Sequence, residues 1–133
     1  DLFVYLTGLY AGSPYSFMQN CFIRARKGAY LLDAWRAMIL EYWKHENSNF
    51  DYFMHQLLFK TLVLNDERAK KYFEKMPHVA QEPTHALWWA YHDKPFDKKT
   101  FDEVTSRSFF QKTTYQQAKN PKKGSFAYEM INM

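Results

Sequence analysis

Apolar and polar positions follow two rhythms along this chain. Leu2 to Leu6 is a short, continuously apolar run, the pattern of a buried strand. Thr7 to Ser16 contains Gly8, Gly12, Ser13 and Pro14 and reads as a loop. Phe17 to Arg26 reads as a second strand with Phe22 and Ile23 at its apolar centre. Gly28 interrupts, and the rhythm turns helical. From Ala29 to Glu46 the apolar positions Leu31, Leu32, Trp35, Met38, Ile39 and Tyr42 repeat with the spacing of one buried helix face, opposite Arg36, Glu41 and Lys44.

Asn47-Ser48-Asn49 breaks that helix. A second is expected from Phe50 to Leu64, with Phe53, Leu57, Leu58, Thr61 and Leu62 as its buried stripe. Ser48 with Asp51 three residues on has the outline of a capping box at its start. Asn65 is expected to cap a third helix, with Asp66 and Glu67 in the first turn where the helix dipole favours acids. Its inward positions are Ala69, Tyr72, Phe73 and Met76, and Pro77 stops it. Thr84 to Tyr91 reads as a short fourth helix carrying Trp88 and Trp89. Asp97 caps a fifth, with Phe96 and Phe101 at the two positions of a hydrophobic staple. Phe109 to Tyr115 is extended or loop. Residues 116–124 are polar, Lys-rich and expected to be mobile, and Ser125 to Met133 is expected to dock as a terminal helix.

Two strands followed by helices make an odd free-standing domain, because a two-stranded sheet is marginal. The strands are therefore expected either to pair with strands outside this chain or to lie on the helices as a hairpin. With 133 residues the chain is long enough for one domain or part of one. An apolar content of 47%, with a fifth of all residues aromatic, excludes a disordered chain. A single cysteine leaves no disulfide framework and no paired-Cys zinc motif. No run of about 18 apolar residues spans a membrane. The start lacks both the basic region of a signal peptide and an initiator Met, so a fragment or processed chain is expected.

The net charge of +4 is unevenly placed. Residues 24–28 hold Arg24, Arg26 and Lys27 without an acid, and residues 107–124 hold five basic side chains without one. Residues 29–106 carry 10 basic and 12 acidic side chains, so the excess is local. Such patches suit a phosphate-bearing ligand or peripheral contact with an anionic membrane, and equally a solvated loop and tail. Nucleic acid is not expected as a partner, because the aromatics follow helical core spacing instead of interleaving with Lys and Arg.

Candidate chemistry is sparse. Asp51 and His55 lie four residues apart, so in a helix both project from one face. A carboxylate beside an imidazole serves as a general-base pair or as two metal ligands, and an ordinary first-turn acid with its partner has the same spacing. His45-Glu46 lacks the second His of a zinc-protease helix. Cys21, in the expected second strand, reads as a buried, inert thiol. Trp88-Trp89 offers a stacking platform, but neighbours on a helix point about 100° apart, so one of the two belongs to the core.

The run Gln19-Asn20-Cys21-Phe22-Ile23-Arg24-Ala25-Arg26-Lys27-Gly28 resembles a motif of bacterial capsular polysaccharide synthesis proteins. These are glycosyltransferases related to the sugar-binding-region family that includes yeast mannosyltransferases. In them a strand ending in an Asn-aromatic-Phe-Ile-Ala type run leads through a Lys-Gly turn into a long helix, here Leu31-Leu32-Asp33-Ala34-Trp35 and Leu40-Glu41-Tyr42-Trp43-Lys44. Their next block, an Asp-Tyr-Phe helix start, is matched by Asp51-Tyr52-Phe53. An Asn-Asp-x-x-Ala-Lys helix ending in Met-Pro is matched by Asn65-Asp66, Ala69-Lys70 and Met76-Pro77. A late His-Lys-Leu-Thr-Tyr run is matched by Gln111-Lys112-Thr113-Thr114-Tyr115, with His and Leu replaced.

The resemblance implies an α/β fold: the mostly helical, C-terminal, acceptor-side portion of a GT-A-like transferase, with two or three short strands. It implies a nucleotide sugar as donor, a glycan or lipid-linked acceptor, and a cytoplasmic site near the membrane. The divalent metal (Mn or Mg) of such enzymes sits on an Asp-x-Asp type motif upstream of the region matched, and no two aspartates here have that spacing. No metal ligand is therefore expected in this chain, which alone would be inactive. Within the resemblance Asp51 is the candidate base for an acceptor hydroxyl, and Asn20, Tyr52 and His55 are candidates for binding the acceptor. Lys112 is the candidate to neutralise the leaving diphosphate, with Thr114 and Tyr115 shaping its loop. The alternative is a non-catalytic helical module that binds protein or glycan.

Overall fold

The computed structural model describes residues 2–7, 18–114 and 119–133. About half the chain is helical. Among the described residues there are six helices and one three-stranded sheet, grouped into two compact units, Asp1–Ala80 and Gln81–Met133.

The first unit is built on β1 (Leu2–Leu6), whose side chains are nearly all buried. It is the central strand. On one side β2 (Ile23–Ala25) pairs antiparallel, with Leu2 opposite Ala25 and Val4 opposite Ile23. On the other, β3 (Val79–Ala80) pairs parallel, with Tyr5 opposite Val79. The third strand thus comes from within the chain, just after Pro77, and two residues are too few to show a rhythm in sequence. The second strand is shorter than expected, because Asn20 and Cys21 lie in a bend that precedes it. Cys21 is half-buried there and not inside a strand. The loop expected at 7–16 falls, beyond Thr7, outside the described residues.

Gly28, at φ +72°, adopts a left-handed conformation that side chains resist, and so turns the chain from β2 into α1 (Tyr30–His45). Helix α2 (Met54–Asn65) begins four residues later than its periodicity suggests. The cause is local: the Asp51 carboxylate accepts the N–H of Phe53 at 2.7 Å, holding residues 51–53 in a turn that competes with helix. Ser48 forms no cap; its carbonyl accepts the Tyr42 hydroxyl. The buried stripe of α2 also differs. Met54, Phe59, Leu62 and Val63 are buried, whereas Leu57 and Leu58 are half-buried and Thr61 is exposed. The selecting contact is Trp35 of α1, whose indole meets the Phe59 ring edge to face at 5.5 Å.

Helix α3 (Glu67–Glu74) is capped by Asp66 and not by Asn65. Asn65 donates back to the Thr61 carbonyl inside α2. Asp66 Oδ1 accepts the Ala69 N–H at 2.6 Å, and Oδ2 accepts the Tyr30 hydroxyl at 2.8 Å. These two bonds hold the Asp66 carboxyl below its usual range, while the same bond to Asp66 raises the Tyr30 phenol. Ala69 and Met76 are buried and Tyr72 and Phe73 half-buried, so the inward face of α3 is the one its spacing indicates.

The second unit holds α4 (Glu82–Tyr91), α5 (Lys98–Thr105) and α6 (Phe126–Asn132) around Leu87, Val104 and Phe126. Asp97 caps α5 through the Thr100 N–H at 2.7 Å, and Phe96 and Phe101 staple that start at 5.8 Å. Ser125 caps α6. Of the expected Lys-rich segment, residues 116–118 lie outside the described residues. Within the rest, Lys122 to Ser125 form a turn whose Gly124 carbonyl accepts the Phe96 N–H at 2.8 Å.

Phe59 is fully buried and Tyr52 is exposed. Phe59→Ala is expected to lower stability by about 3–5 kcal/mol through cavity formation. Tyr52→Ala should stay within about 0.5 kcal/mol. Urea unfolding of both variants checks the pair, and equal losses would contradict this core.

Candidate functional site

Two side chains of α1 position the loop that carries Asp51. Tyr42 bonds the Ser48 carbonyl through its hydroxyl, and its ring meets Phe50 edge to face at 5.4 Å. About two turns earlier, Trp35 Nε1 donates to the carbonyl of His55 at 2.9 Å, tying down the first turn of α2. Between these tethers lies Asp51, half-buried, with Oδ1 on the Phe53 N–H.

Tyr52 beside it is 88% exposed, its ring resting edge-on against Phe53 at 4.9 Å. Phe50, its other neighbour in the chain, is also exposed, so an exposed aromatic ring stands on either side of Asp51 in sequence. Asp51 and His55 do not share a helix face, as their spacing suggested, because α2 starts only at Met54. His55 is half-buried and contributes its carbonyl to Trp35. Asn20 is exposed in the bend before β2, and neither it nor the His55 ring bonds Asp51 among the described residues. The structure brings Asp51 and Tyr52 together as chain neighbours; it gives Asn20 and His55 no shared bond with them.

Lys112 and Thr114 belong to the second unit, and both are half-buried. Tyr115 lies outside the described residues. Gln111, which stands where the matched run has His, fixes this segment. Its amide Nε2 donates to the Pro83 carbonyl at 2.8 Å, and its Oε1 accepts the Leu87 N–H at 3.3 Å. These are the two groups that an α-helix pairs with each other, so the side chain bridges one rung of α4. The next residue, Lys112, donates its backbone N–H to the Thr84 carbonyl at 2.7 Å. The segment 111–112 is thereby pinned along the first turns of α4.

That pinning reveals a cluster that sequence reasoning missed. His85 is 4% exposed and lies close enough to Lys112 and Glu82 to feel both charges. Its Nδ1 approaches Thr84 Oγ1 at 2.8 Å and the Gln81 carbonyl at 3.1 Å. Since Thr84 already gives its hydroxyl proton to the Gln81 carbonyl, both partners of Nδ1 can only accept. Nδ1 therefore carries the proton, and Nε2 is left with its lone pair. Burial pushes the imidazole below its ordinary range, and the positive Lys112 adds to that, against an opposing bond to the Gln81 carbonyl and the Glu82 charge. The ring lies over Trp89, centroids 4.3 Å apart, and Trp89 is 55% exposed while its neighbour Trp88 is buried. The spacing of Gln81, His85 and Trp89 at four-residue intervals was the signal available. It was hidden because the helix was expected to begin only at Thr84.

Among the described residues no group of three or more His, Cys, Asp or Glu side chains gathers where a metal ion would be held. No helix among them is long and apolar enough to cross a membrane.

Residues 1–131 match the family described as capsular polysaccharide synthesis protein. The chain belongs to that family. For this capsular polysaccharide synthesis protein the match extends beyond the blocks at 19–115 to β1 and α6. No curated protein and no solved structure matches the chain.

A neutral His85 carries a pH signature. The unfolded chain takes up a proton near pH 6.5 that the folded chain refuses, so stability is full above that value and falls as the pH drops through it. The melting temperature should fall between about pH 7 and about pH 5, and fall less in His85→Asn, whose amide N–H replaces Nδ1 but does not titrate. Thermal scans at the two pH values check this, and identical slopes for both proteins would refute it.

Proposed function

We propose that this chain is the acceptor-side portion of a glycosyltransferase of capsular or surface polysaccharide synthesis. It would transfer a sugar from a nucleotide sugar to a glycan or lipid-linked acceptor, on the cytoplasmic side and near the membrane, and be inactive by itself. Membership of the family supports the pathway. The observation that carries the chemistry is the Asp51 carboxylate, held by the Phe53 N–H and flanked in sequence by the exposed rings of Phe50 and Tyr52.

In the proposed reaction Asp51 accepts the proton of an acceptor hydroxyl as that oxygen bonds to the anomeric carbon of the donor sugar. The bond from that carbon to the diphosphate oxygen breaks, and the electron pair leaves with the diphosphate. A carboxylate suits the first task because the hydroxyl sheds its proton only as the new bond forms. The Phe53 N–H fixes one carboxylate oxygen and so the plane in which the other acts. Tyr52 offers a ring to the acceptor's apolar face, and Asn20 and His55 are proposed to border the same acceptor. Lys112 is proposed to offset the charge of the departing diphosphate, with Thr114 and Tyr115 shaping its segment. The described residues do not provide a ligand set for a divalent metal, so any Mn or Mg of the complete enzyme is assigned to residues outside them. No step above runs through it.

A second reading, a non-catalytic helical module that binds protein or glycan, draws on the same hydrogen bond: an aspartate that bonds its own helix start has a structural occupation. Asp51→Asn separates the two, because the amide oxygen still accepts the Phe53 N–H while basicity is gone. In the complete gene product this substitution is expected to lower turnover by at least about a hundredfold with an unchanged melting temperature. Radiolabelled sugar transfer from the nucleotide sugar gives the readout. Retained turnover would remove Asp51 from the mechanism.

A further inference from the structure

The outer side of α3 carries a groove of about 270 Å³ lined by Arg68, Lys71, Tyr72 and Lys75. Their spacing explains the grouping, since residues three, four and seven apart share one helix face, a face to which the buried Ala69 and Met76 do not belong. The three cations are exposed and Tyr72 is half-buried. Among the described residues none of the three is in an ion pair, and Glu67 and Glu74 of the same helix do not line the groove. Arg68 is held in place by aromatic rings: its guanidinium carbon lies 4.0 Å from the centre of Tyr30 and 5.8 Å from that of Tyr72. Asp66 feels the Arg68 charge, but its oxygens accept the Ala69 N–H and the Tyr30 hydroxyl. A guanidinium resting on rings keeps its N–H edge for another acceptor. The groove thus gathers three positive charges and lacks an acid of its own.

We infer that this groove docks the first unit on an anionic bilayer, with Arg68, Lys71 and Lys75 taking the phosphates of phospholipid headgroups. The occupant is a lipid of the bilayer itself, neither donor nor acceptor of a reaction. Charge complementarity argues for it: the planar Arg68 fork matches two phosphate oxygens, and a lysine offers a point charge on a flexible stem. Residues 68 to 75 place these charges along about 10 Å of helix, a spread that suits a surface bearing many phosphates. Tyr72 has the ring and hydroxyl that favour the level of the headgroups. Lys27, exposed in the turn before α1, stands three residues from Tyr30, at most about 11 Å away through the backbone, and extends the same charge. Other anions fit less well. A free phosphate ion would need enclosure, and all three cations are open to solvent. An acidic peptide would need a pocket for an apolar anchor, and the lining is three cations and one tyrosine. This inference rests on the proposed position near a membrane and names the surface that makes the contact.

The test is co-sedimentation of the 133-residue chain with vesicles of phosphatidylglycerol mixed with phosphatidylcholine, against vesicles of phosphatidylcholine alone. The chain is expected to sediment with the anionic vesicles only, and to be released as salt is raised. Each lysine near an anionic surface strengthens partitioning about fivefold, so Lys71→Gln with Lys75→Gln should weaken it about 25-fold at an unchanged melting temperature. Lys99→Gln with Lys123→Gln removes the same charge from exposed positions of the second unit and should cost far less. Asp51→Asn should sediment like the unchanged chain. Because the assay uses no donor and no acceptor, failure to bind vesicles and failure to transfer sugar remain separate results. A chain left in solution by anionic vesicles would overturn the inference, and inorganic phosphate that then shifts the Tyr72 ring signals in NMR would assign the groove to a free ion. Equal losses in the two double variants would overturn it too, by reducing the contact to net charge.

Discussion

A buried tryptophan has one polar atom, and where that atom finds its acceptor decides much of the first unit. Trp35 is 5% exposed, so its indole N–H cannot be left to water. It finds the carbonyl of His55, at the point where α2 begins. The bond sets the distance between α1 and the first turn of α2, and the contact with Phe59 sets the rotation of α2 about its own axis. Everything between the two helices then has fixed ends. The segment 46–53 must span from His45 to Met54, and Tyr42 pins its middle. Asp51, half-buried, is held between those anchors.

The second unit solves a different problem. Helix α4 has no side-chain cap of its own, and Pro83 in its first turn has no N–H to satisfy. Its polar needs are met from outside, by Gln111 across the Pro83–Leu87 rung and by the Lys112 backbone at Thr84. Burial is what chiefly lowers the His85 imidazole, and the same strip of chain that closes the helix adds the Lys112 charge to that effect. Structure and candidate chemistry share these residues, so changes at 111–112 would be felt in both.

Long periodic segments were legible in the sequence. Helix α1 runs within a residue of its expected ends, α5 follows from its Asp97 cap, the inward face of α3 from its apolar spacing, and α6 from the apolar run after the Lys-rich segment. What the sequence concealed were cases of local competition. The Asp51 side chain bonds its own backbone and delays α2, which removed the shared helix face on which the Asp51–His55 pair rested. Asn65 and Asp66 are both good caps, and only the Tyr30 hydroxyl, 36 residues away, decides for Asp66. A two-residue strand has no period to read. The His85 cluster had its signal in the spacing of Gln81, His85 and Trp89, masked because the helix was expected to begin at Thr84, whereas it begins at Glu82 with Pro83 in its first turn.

The central position of β1 has a consequence for the order in which the chain folds. Helices α2 and α3 adjoin in sequence and can meet early, since closing a short segment costs little entropy. The parallel pairing of Tyr5 with Val79 joins residues 74 apart, and its rung cannot form until α1, α2 and α3 have brought those ends together. The strand that stands first in the chain and middle in the sheet is thus completed late. Until Val79 arrives, β1 keeps a row of unpaired amides on one side, the kind of edge on which a second copy of the same strand can settle. The brevity of β3 is then a kinetic weakness as well as a topological detail, for among the described residues only Val79 and Ala80 pair with β1 on that side.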